Sequence, residues 1–194
     1  MPYLLDQPQV DFKDRPILFI DLEMTGLDVE KHEIVEIGAL LVRQPDFKVI
    51  NSYYTKVAPV HLETGDPKSL KVIRFNAKDW IDAIPLKQAL IELSEFAPNC
   101  MLAGWCVQNE WDFLNHALAQ NSLPYFYSHR LLEVFSLAYA RYYNDSEMRF
   151  ISLPSVSRAL GIHIDQHKPD SDIRATYEIF YRLVSGPQNK NSAS

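Results

Sequence analysis

The first pattern in the chain is a short apolar run that ends at an acid. Ile17 to Ile20 is continuously apolar and stops at Asp21, which is typical of a strand buried on both faces. Two β-rich segments, 33–43 and 47–57, follow, and Gln44-Pro45-Asp46 supplies a turn between them. Three successive strands with short connections predict an antiparallel meander.

Helical spacing of apolar residues dominates the rest of the chain. A helix is predicted over 85–97, a short apolar strand over 100–103, and a second helix from about residue 109. Further helices are predicted over 131–143, 154–160 and 170–184. Strands followed by alternating strands and helices indicate an α/β fold, with a mixed sheet covered by helices.

Length and composition indicate one globular domain. The chain has 194 residues, of which 47% are hydrophobic and 12% aromatic, values that exclude collagen-like and wholly disordered proteins. We expect an N-terminal extension over 1–15, one domain over 16–184 and a flexible polar tail over 185–194. The start of the chain lacks the basic and apolar regions of a signal peptide, and no apolar run is long enough to cross a membrane. A cytoplasmic protein is therefore expected.

The charge balance limits how the protein would hold nucleic acid. Nineteen basic and 25 acidic residues give a formal charge of −6. Binding long nucleic acid through a basic surface needs several phosphate neutralisations, so the charge argues against that mode. It permits action on a single phosphodiester at a chain end, because divalent cations held by carboxylates supply positive charge locally.

The strongest local signal is the pair of acids that follows the first strand. Asp21 and Glu23 are two residues apart, so the strand pleat places both side chains on one face. Two adjacent carboxylates repel each other and favour a hard cation such as Mg²⁺ or Mn²⁺. The alternative interpretation is a solvated strand end at which both acids are turn formers.

A third acid lies on the apolar stripe of the last predicted helix. Asp172 shares its face with the residues three, four, seven and eleven positions later, Ala175, Thr176, Ile179 and Leu183. It therefore faces the sheet and needs a compensating partner. His167 lies in the preceding loop and has the reference pKa of a general base near neutral pH. The alternatives are compensation of Asp172 by the helix dipole and a merely solvated His167.

Two acids near the start of the helix that follows the fourth strand are ambiguous on physical grounds. The apolar stripe of this helix, formed by Phe113, Leu114, Ala117 and Leu118, points roughly opposite to Asp112. Glu110 and Asp112 are both interpreted as acids that favour a helix N-terminus. Periodicity alone assigns no chemistry to either.

Together these segments resemble the DEDDh 3′–5′ exonucleases, a branch of the ribonuclease H-like fold. Asp21 and Glu23 match the first motif, Asp112 matches the central Asp, and His167 and Asp172 match the last motif. The run IDLEMTGLD is most similar to oligoribonuclease. The sequence departs from the family pattern at three positions, Gln108, Trp111 and Pro169.

The resemblance implies a site and a mechanism. It implies that the four carboxylates hold two divalent cations, Mg²⁺ or Mn²⁺, that all five residues are catalytic, and that His167 accepts a proton from the attacking water. It also implies a pocket for the 3′ end of the substrate formed by Met24, Thr25, Gly26 and Leu27; alternatively, these form a turn with Leu27 in the core. The interpretation requires the Asp112 carboxyl to lie with those of Asp21, Glu23 and Asp172.

We therefore expect a ribonuclease H-like mixed sheet with helices on both faces and a metal-dependent 3′–5′ exonuclease. Its expected substrates are 3′ ends of single-stranded DNA or RNA, with short oligonucleotides favoured and nucleoside 5′-monophosphates released. One alternative is a non-catalytic domain of this fold that binds nucleic-acid ends or a protein. Another is a proofreading subunit of a polymerase. The sequence is compatible with a homodimer, and no membrane partner is expected.

Overall fold

The computed structural model of the protein describes residues 11–164 and 169–185. Five strands form one sheet: β1 (Ile17–Met24), β2 (Ile34–Arg43), β3 (Lys48–Lys56), β4 (Cys100–Gly104) and β5 (Tyr127–Glu133). Six α-helices lie in the described residues: α1 (Pro67–Val72), α2 (Leu86–Phe96), α3 (Gln108–Gln120), α4 (Val134–Tyr142), α5 (Leu153–Ala159) and α6 (Pro169–Ser185). Two 3-10 turns flank α1, at Leu62–Thr64 and Ala77–Trp80.

The sheet is mixed and its strand order is β3-β2-β1-β4-β5. The first three strands form the antiparallel meander that the sequence predicts, and in its register Glu23 lies opposite Glu36. β4 runs parallel to β1, and β5 runs parallel to β4. The carboxyl ends of β1, β4 and β5 therefore meet at one edge of the sheet, where such folds bind their ligands.

Helices cover both faces of the sheet, as predicted. On one face Leu18 and Ile20 of β1 pack with residues of α2 and α3 in a buried cluster. On the other face Ile17 and Phe19 pack with residues of α4, α5 and α6. The Phe19 ring contacts Phe180 of α6 at a centroid distance of 5.3 Å. Continuous apolarity in β1 thus follows from burial on both sides, since alternate side chains enter opposite layers.

One predicted element is wrong at its start. The sequence pattern predicts a helix over 131–143, whereas β5 extends to Glu133 and α4 begins at Val134. Pairing with β4 keeps this segment extended although its polar composition is weak evidence for a strand. The Glu133 carboxylate then accepts a hydrogen bond from the Phe135 N–H and caps α4.

Three short elements between β3 and α2 are not predicted by the sequence pattern. α1 and the two 3-10 turns that flank it are too short to give a periodic signal. Across 11–164 and 169–185, none of the helices combines the length and the apolar character needed to cross a membrane. Most of the predicted tail, 186–194, lies outside the described residues.

Candidate active site

The carboxyl end of β1 carries two acids on the face that α6 covers. Asp21 and Glu23 continue the alternation of Ile17 and Phe19, so all four side chains enter the same layer. Burial raises the pKa of Asp21 well above its ordinary value, and the charges of Glu110, Glu23, Asp172 and Glu36 raise it further. The pKa of Glu23 rises to about 7, mainly through burial and then through Glu36 and Asp172. All of these neighbouring charges are negative.

α6 brings Asp172 to the same group of acids. Ala175, Thr176 and Ile179 of this helix are buried, and Asp172 lies one turn before them on the same face. Its negative charge raises the pKa of both Asp21 and Glu23. The structure thus brings together three of the acids that the sequence indicates, Asp21, Glu23 and Asp172.

The prediction that Asp112 joins these three acids is wrong. Asp112 is exposed on α3, where its Oδ1 accepts a hydrogen bond from Gln108 Nε2 at 2.9 Å. Glu110 lies with the cluster instead: only 7% of this residue is exposed, and its Oε2 is buried without a hydrogen-bond partner. Burial raises the pKa of Glu110 to about 8, and the charges of Glu133 and Glu23 contribute.

The geometry of α3 explains why Glu110 faces inward. Phe113 and Leu114 lie three and four residues after Glu110 and are buried, so Glu110 extends the apolar stripe towards the sheet edge. Asp112 lies off that stripe and faces water. The signal was present in the sequence, because the helical period excludes Asp112 from the inward face. The resemblance to the family motif points to Asp112, two residues after the acid that faces the cluster.

Glu133 holds the loop that precedes α3. Its carboxylate accepts hydrogen bonds from the N–H groups of Cys106 at 2.9 Å and Val107 at 3.0 Å, and from the Phe135 N–H at 3.0 Å. One carboxylate at the end of β5 therefore caps α4 and also fixes the turn before α3. Glu110 follows three residues after Val107, so this contact sets its position.

A fifth acid, Glu36, lies beside the cluster and was not indicated by the sequence motifs. It is buried on β2 opposite Glu23, and its Oε2 accepts a hydrogen bond from the Tyr54 hydroxyl at 2.6 Å. Burial and this hydrogen bond raise the pKa of Tyr54. Tyr54 thus holds Glu36 in place, and Glu36 adds negative charge behind Glu23.

The fifth residue of the predicted set, His167, lies outside the described residues, so its role as proton acceptor stays a prediction. In the sequence it lies between α5 and Asp172 of α6.

The segment after Glu23 forms one wall of a cavity. Thr25 is fully buried, and its Oγ1 accepts a hydrogen bond from the Glu33 N–H at 2.9 Å. Gly26 packs against His32, because a Cβ built on Gly26 would lie 2.4 Å from the ring atom Cε1. The His32 ring accepts a hydrogen bond from the Asp28 N–H through Nδ1 at 2.8 Å. This turn is therefore held rigidly from both sides.

Leu27 projects into solvent from that turn. It is 77% exposed, so the alternative in which it packs into the core is wrong. Met24, Gly26 and Leu27 line a cavity of about 230 Å³ together with Glu23 and residues of α1. An apolar wall beside the acid cluster is suited to the face of a base or a sugar.

The four acids Asp21, Glu23, Glu110 and Asp172, called the acid cluster below, are of the type that binds cations, but their side chains are not arranged as a complete set of metal ligands. In the part of the chain that the structure describes, no three acidic, histidine or cysteine side chains are grouped so that they hold a metal ion as they stand. The donor set nevertheless fits a hard divalent cation, because its ligands are all carboxylate oxygens and the buried Glu110 Oε2 lacks a partner. Because like charges repel, a bound cation would lower the free-energy cost of bringing these carboxylates together.

Comparisons with known proteins identify related chains. The exonuclease family model, RNase_T, matches residues 18–180. A PolC-type DNA polymerase III from Thermotoga petrophila is 24% identical over 182 residues, which cover 89% of this chain and 12% of the relative. An oligoribonuclease from Coxiella burnetii is 27% identical over 143 residues, covering 66% of this chain and 75% of the relative.

Solved structures show the same fold. E. coli exonuclease I in complex with a dT13 oligonucleotide superposes with a TM-score of 0.70 at 15% identity, covering 87% of this chain and 41% of the other. The chain thus spans about an eighth of the polymerase relative and less than half of exonuclease I. Because the family model matches most of its length, the chain belongs to the RNase_T exonuclease family.

Proposed function

We propose that the protein is a metal-dependent 3′–5′ exonuclease that acts on short single-stranded DNA or RNA. One observation carries the proposal: Asp21, Glu23, Glu110 and Asp172 converge at the sheet edge, where burial and their negative charges raise the pKa of Asp21 and Glu23 and the buried Glu110 Oε2 has no hydrogen-bond partner. Burying several carboxylates is costly unless a cation joins them, so a fold that retains such a group uses it for binding or chemistry.

Mg²⁺ or Mn²⁺ is the proposed cofactor, with two ions held by these four carboxylates. Glu110 takes the place that the sequence assigns to Asp112, and its longer side chain reaches the cluster from α3. When bound, two such ions would supply the positive charge that activates a water and stabilises the leaving oxygen. Glu36 remains opposite Glu23, held by Tyr54, and adds negative charge beside it.

The proposed reaction is hydrolysis of the last phosphodiester at a 3′ end. The water oxygen forms a bond to phosphorus while the bond from phosphorus to the 3′ oxygen of the preceding nucleotide breaks. His167 accepts the proton of the water, and the departing 3′ oxygen takes up a proton, so a nucleoside 5′-monophosphate is released. Replacement of His167 by Ala should depress the rate and flatten its rise between about pH 6 and 8, if the base titrates near its reference value.

The cavity beside the acids is the proposed seat of the terminal nucleotide. Gly26 presents backbone to the sugar, and the exposed Leu27 packs against the last base. Thr25 is buried and does not line the cavity, so its part in the predicted pocket is to hold the turn through its hydrogen bonds to Glu33. The oligoribonuclease relative and the exonuclease I complex with an oligonucleotide support a single-stranded substrate. The acidic surface favours short strands over long duplexes, and we propose a cytoplasmic location.

The direct test is a time course with 5′-labelled RNA and DNA oligomers of two to thirty nucleotides, single- and double-stranded. We expect stepwise shortening from the 3′ end in Mg²⁺ or Mn²⁺ and none in EDTA. Asp21→Asn should remove turnover and leave the thermal unfolding transition intact. Undiminished hydrolysis in EDTA, or retained turnover by Asp21→Asn, would overturn the metal assignment.

The same experiment separates the alternatives. A non-catalytic domain would bind the oligomers but leave them intact in every metal tested. A proofreading subunit would shorten mispaired ends and co-purify with a polymerase, a context that the PolC-type relative makes worth testing. Sedimentation of the purified protein would show whether it is a homodimer.

A further inference from the structure

A second cavity lies away from the acid cluster, between α4 and α5. Its volume is about 640 Å³, within the range of small-molecule sites. Arg141 from α4, Arg149 from the connecting loop and Arg158 from α5 all line it. A chain with a net charge of −6 thus gathers three guanidinium groups around one space.

These arginines are not neutralised by the protein. Within 11–164 and 169–185, none of the three forms a salt bridge. Two acids, Asp145 and Glu147, also line the cavity. The Oδ1 atom of Asp145 accepts a hydrogen bond from the Glu147 N–H at 2.9 Å, which commits it to the local turn. Three free guanidinium groups against two acids leave the cavity with an excess of positive charge.

An exposed aromatic ring lies among these charges. Phe150 lines the cavity, follows Arg149 directly and is 81% exposed. On α4 the Arg141 guanidinium lies 5.2 Å from the centroid of the Tyr142 ring. Arginines interleaved with aromatic rings are suited to phosphates and stacked bases, whereas an acidic peptide would use the arginines and leave the Phe150 face unused.

The cavity is remote from the acid cluster. Leu160 lines it, and the Leu160 carbonyl accepts a hydrogen bond from Arg182 Nη1 of α6. Arg182 is ten residues after Asp172 on α6, a separation of about 15 Å along the helix axis at a rise of roughly 1.5 Å per residue. At roughly 3.4 Å per stacked nucleotide, a strand that reaches both places has about five nucleotides.

We propose that this cavity is a second nucleotide site, in which Arg149 and Arg158 bind a phosphate and Phe150 stacks on the attached base. The nucleotide is either free or part of a strand whose 3′ end extends towards the acid cluster. The site requires no metal and no turnover, so it stands independently of the proposed hydrolysis.

The test measures binding in EDTA with the full chain. The probes are AMP and inorganic phosphate by calorimetry, and 5′-fluorescein oligothymidylates of two, five and ten nucleotides by anisotropy. The variants are Arg149→Ala/Arg158→Ala and Phe150→Ala. The matched control, Lys78→Ala/Lys87→Ala, removes two exposed positive charges from the part of the chain that covers the opposite face of the sheet.

Either source of the nucleotide gives a distinct result. If it is free, AMP binds the wild type and the arginine variant loses at least about tenfold in affinity, with a similar loss for Phe150→Ala. If it belongs to a strand, the loss is confined to oligomers of five or more nucleotides. In both cases the control keeps the wild-type affinity, thermal unfolding is unchanged, and hydrolysis of a dinucleotide in Mg²⁺ is unaffected.

Three results would overturn the proposal. The first is equal affinity of the arginine variant and the wild type for every probe. The second is an equal loss in the control variant, which would indicate a general charge effect. The third is displacement of the bound nucleotide by a glutamate-rich decapeptide at equal charge concentration together with wild-type affinity of Phe150→Ala, which would indicate an acidic protein partner. Failure of hydrolysis alone would leave these binding results standing.

Discussion

The acid cluster and the second cavity carry opposite charge, and the free-energy cost of that charge differs between them. The acid cluster consists of Asp21, Glu23, Glu110 and Asp172, and the second cavity, called the arginine cavity below, is lined by Arg141, Arg149 and Arg158. Glu110 is buried and its charge is withdrawn from water, so the free energy of the folded protein rises when that carboxyl ionises. Arg149 and Arg158 are exposed, so water solvates their charges at little cost. A bound cation would therefore relieve a free-energy cost that the buried acids impose on the fold. A bound anion would relieve no such cost at the arginines, which attract it by charge alone.

The largest expected effect tests whether the acid cluster is built from Glu110. Glu110→Gln should lower the turnover of a labelled dinucleotide in Mg²⁺ by roughly 100-fold or more, since even residues that merely support metal ligands contribute 10- to 100-fold. Asp112→Asn is the matched control on the same helix and should stay within about twofold, because its side chain is exposed. The reverse ranking would return the role to Asp112.

The next effect tests the cost of the buried charges. In the folded protein the pKa of Glu110 is about 8 and that of Glu23 is about 7, both above their ordinary value. The folded state therefore holds protons that the unfolded chain releases, so stability in EDTA is complete below about pH 4.5 and falls as the pH rises towards 8. Thermal unfolding at several pH values measures this, and added Mg²⁺ should restore the midpoint at pH 8.

Glu110→Gln provides the matched variant for that experiment. At pH 8 in EDTA it should stabilise the protein by about 1–3 kcal/mol, because it removes an ionised group that lacks a partner. At pH 5 the two proteins should unfold alike, since Glu110 is then protonated. A variant that is less stable than the wild type at pH 8 would mean that the charge is already compensated in the folded protein.

A third effect tests the rigidity of the turn at Gly26, which follows Glu23 of the acid cluster. Gly26→Ala places a Cβ against the His32 ring, 2.4 Å from Cε1, so the ring or the turn has to move. We expect a loss of about 1–3 kcal/mol of stability and a raised KM for short oligomers. Gly26→Ala/His32→Ala should recover most of the stability. If the single variant unfolds like the wild type, the turn is more compliant than its packing indicates.

The smallest expected effect concerns the contribution of the arginine cavity to stability. Arg158→Ala should change the free energy of unfolding by no more than about 0.5 kcal/mol, because the residue is exposed and forms no salt bridge within the described part of the chain. Denaturant titration at low and high salt measures it. A clear loss of stability would show that this arginine has a structural task.

How far the sequence predicts this molecule depends on which local rule is followed. The apolar run before Asp21 predicts β1, and the stripe that contains Asp172 predicts how α6 faces the sheet. β5 escapes prediction because its pairing with β4, rather than its composition, keeps it extended. Likewise Glu36 joins the cluster only through the register of β2 against β1, which no local pattern specifies.

The error at Asp112 has a different origin. There the helical period was informative, and it set Asp112 apart from Phe113 and Leu114. The resemblance to the family motif favours Asp112, whereas the helical period favours the inward face that Glu110 occupies. When a proposed ligand lies off the inward face of its own helix, the physical pattern is the better guide to which side chain reaches the site.

The carboxylate of Glu133, at the end of β5, links that strand to the helix that carries Glu110. Because this one group accepts from backbone N–H donors before both α3 and α4, a shift of β5 would be transmitted to both helices together. Substitutions in β5, at the outer border of the sheet, would then change the position of Glu110, even though they lie outside the acid cluster. The position of Glu110 thus depends on a strand that lies outside the acid cluster.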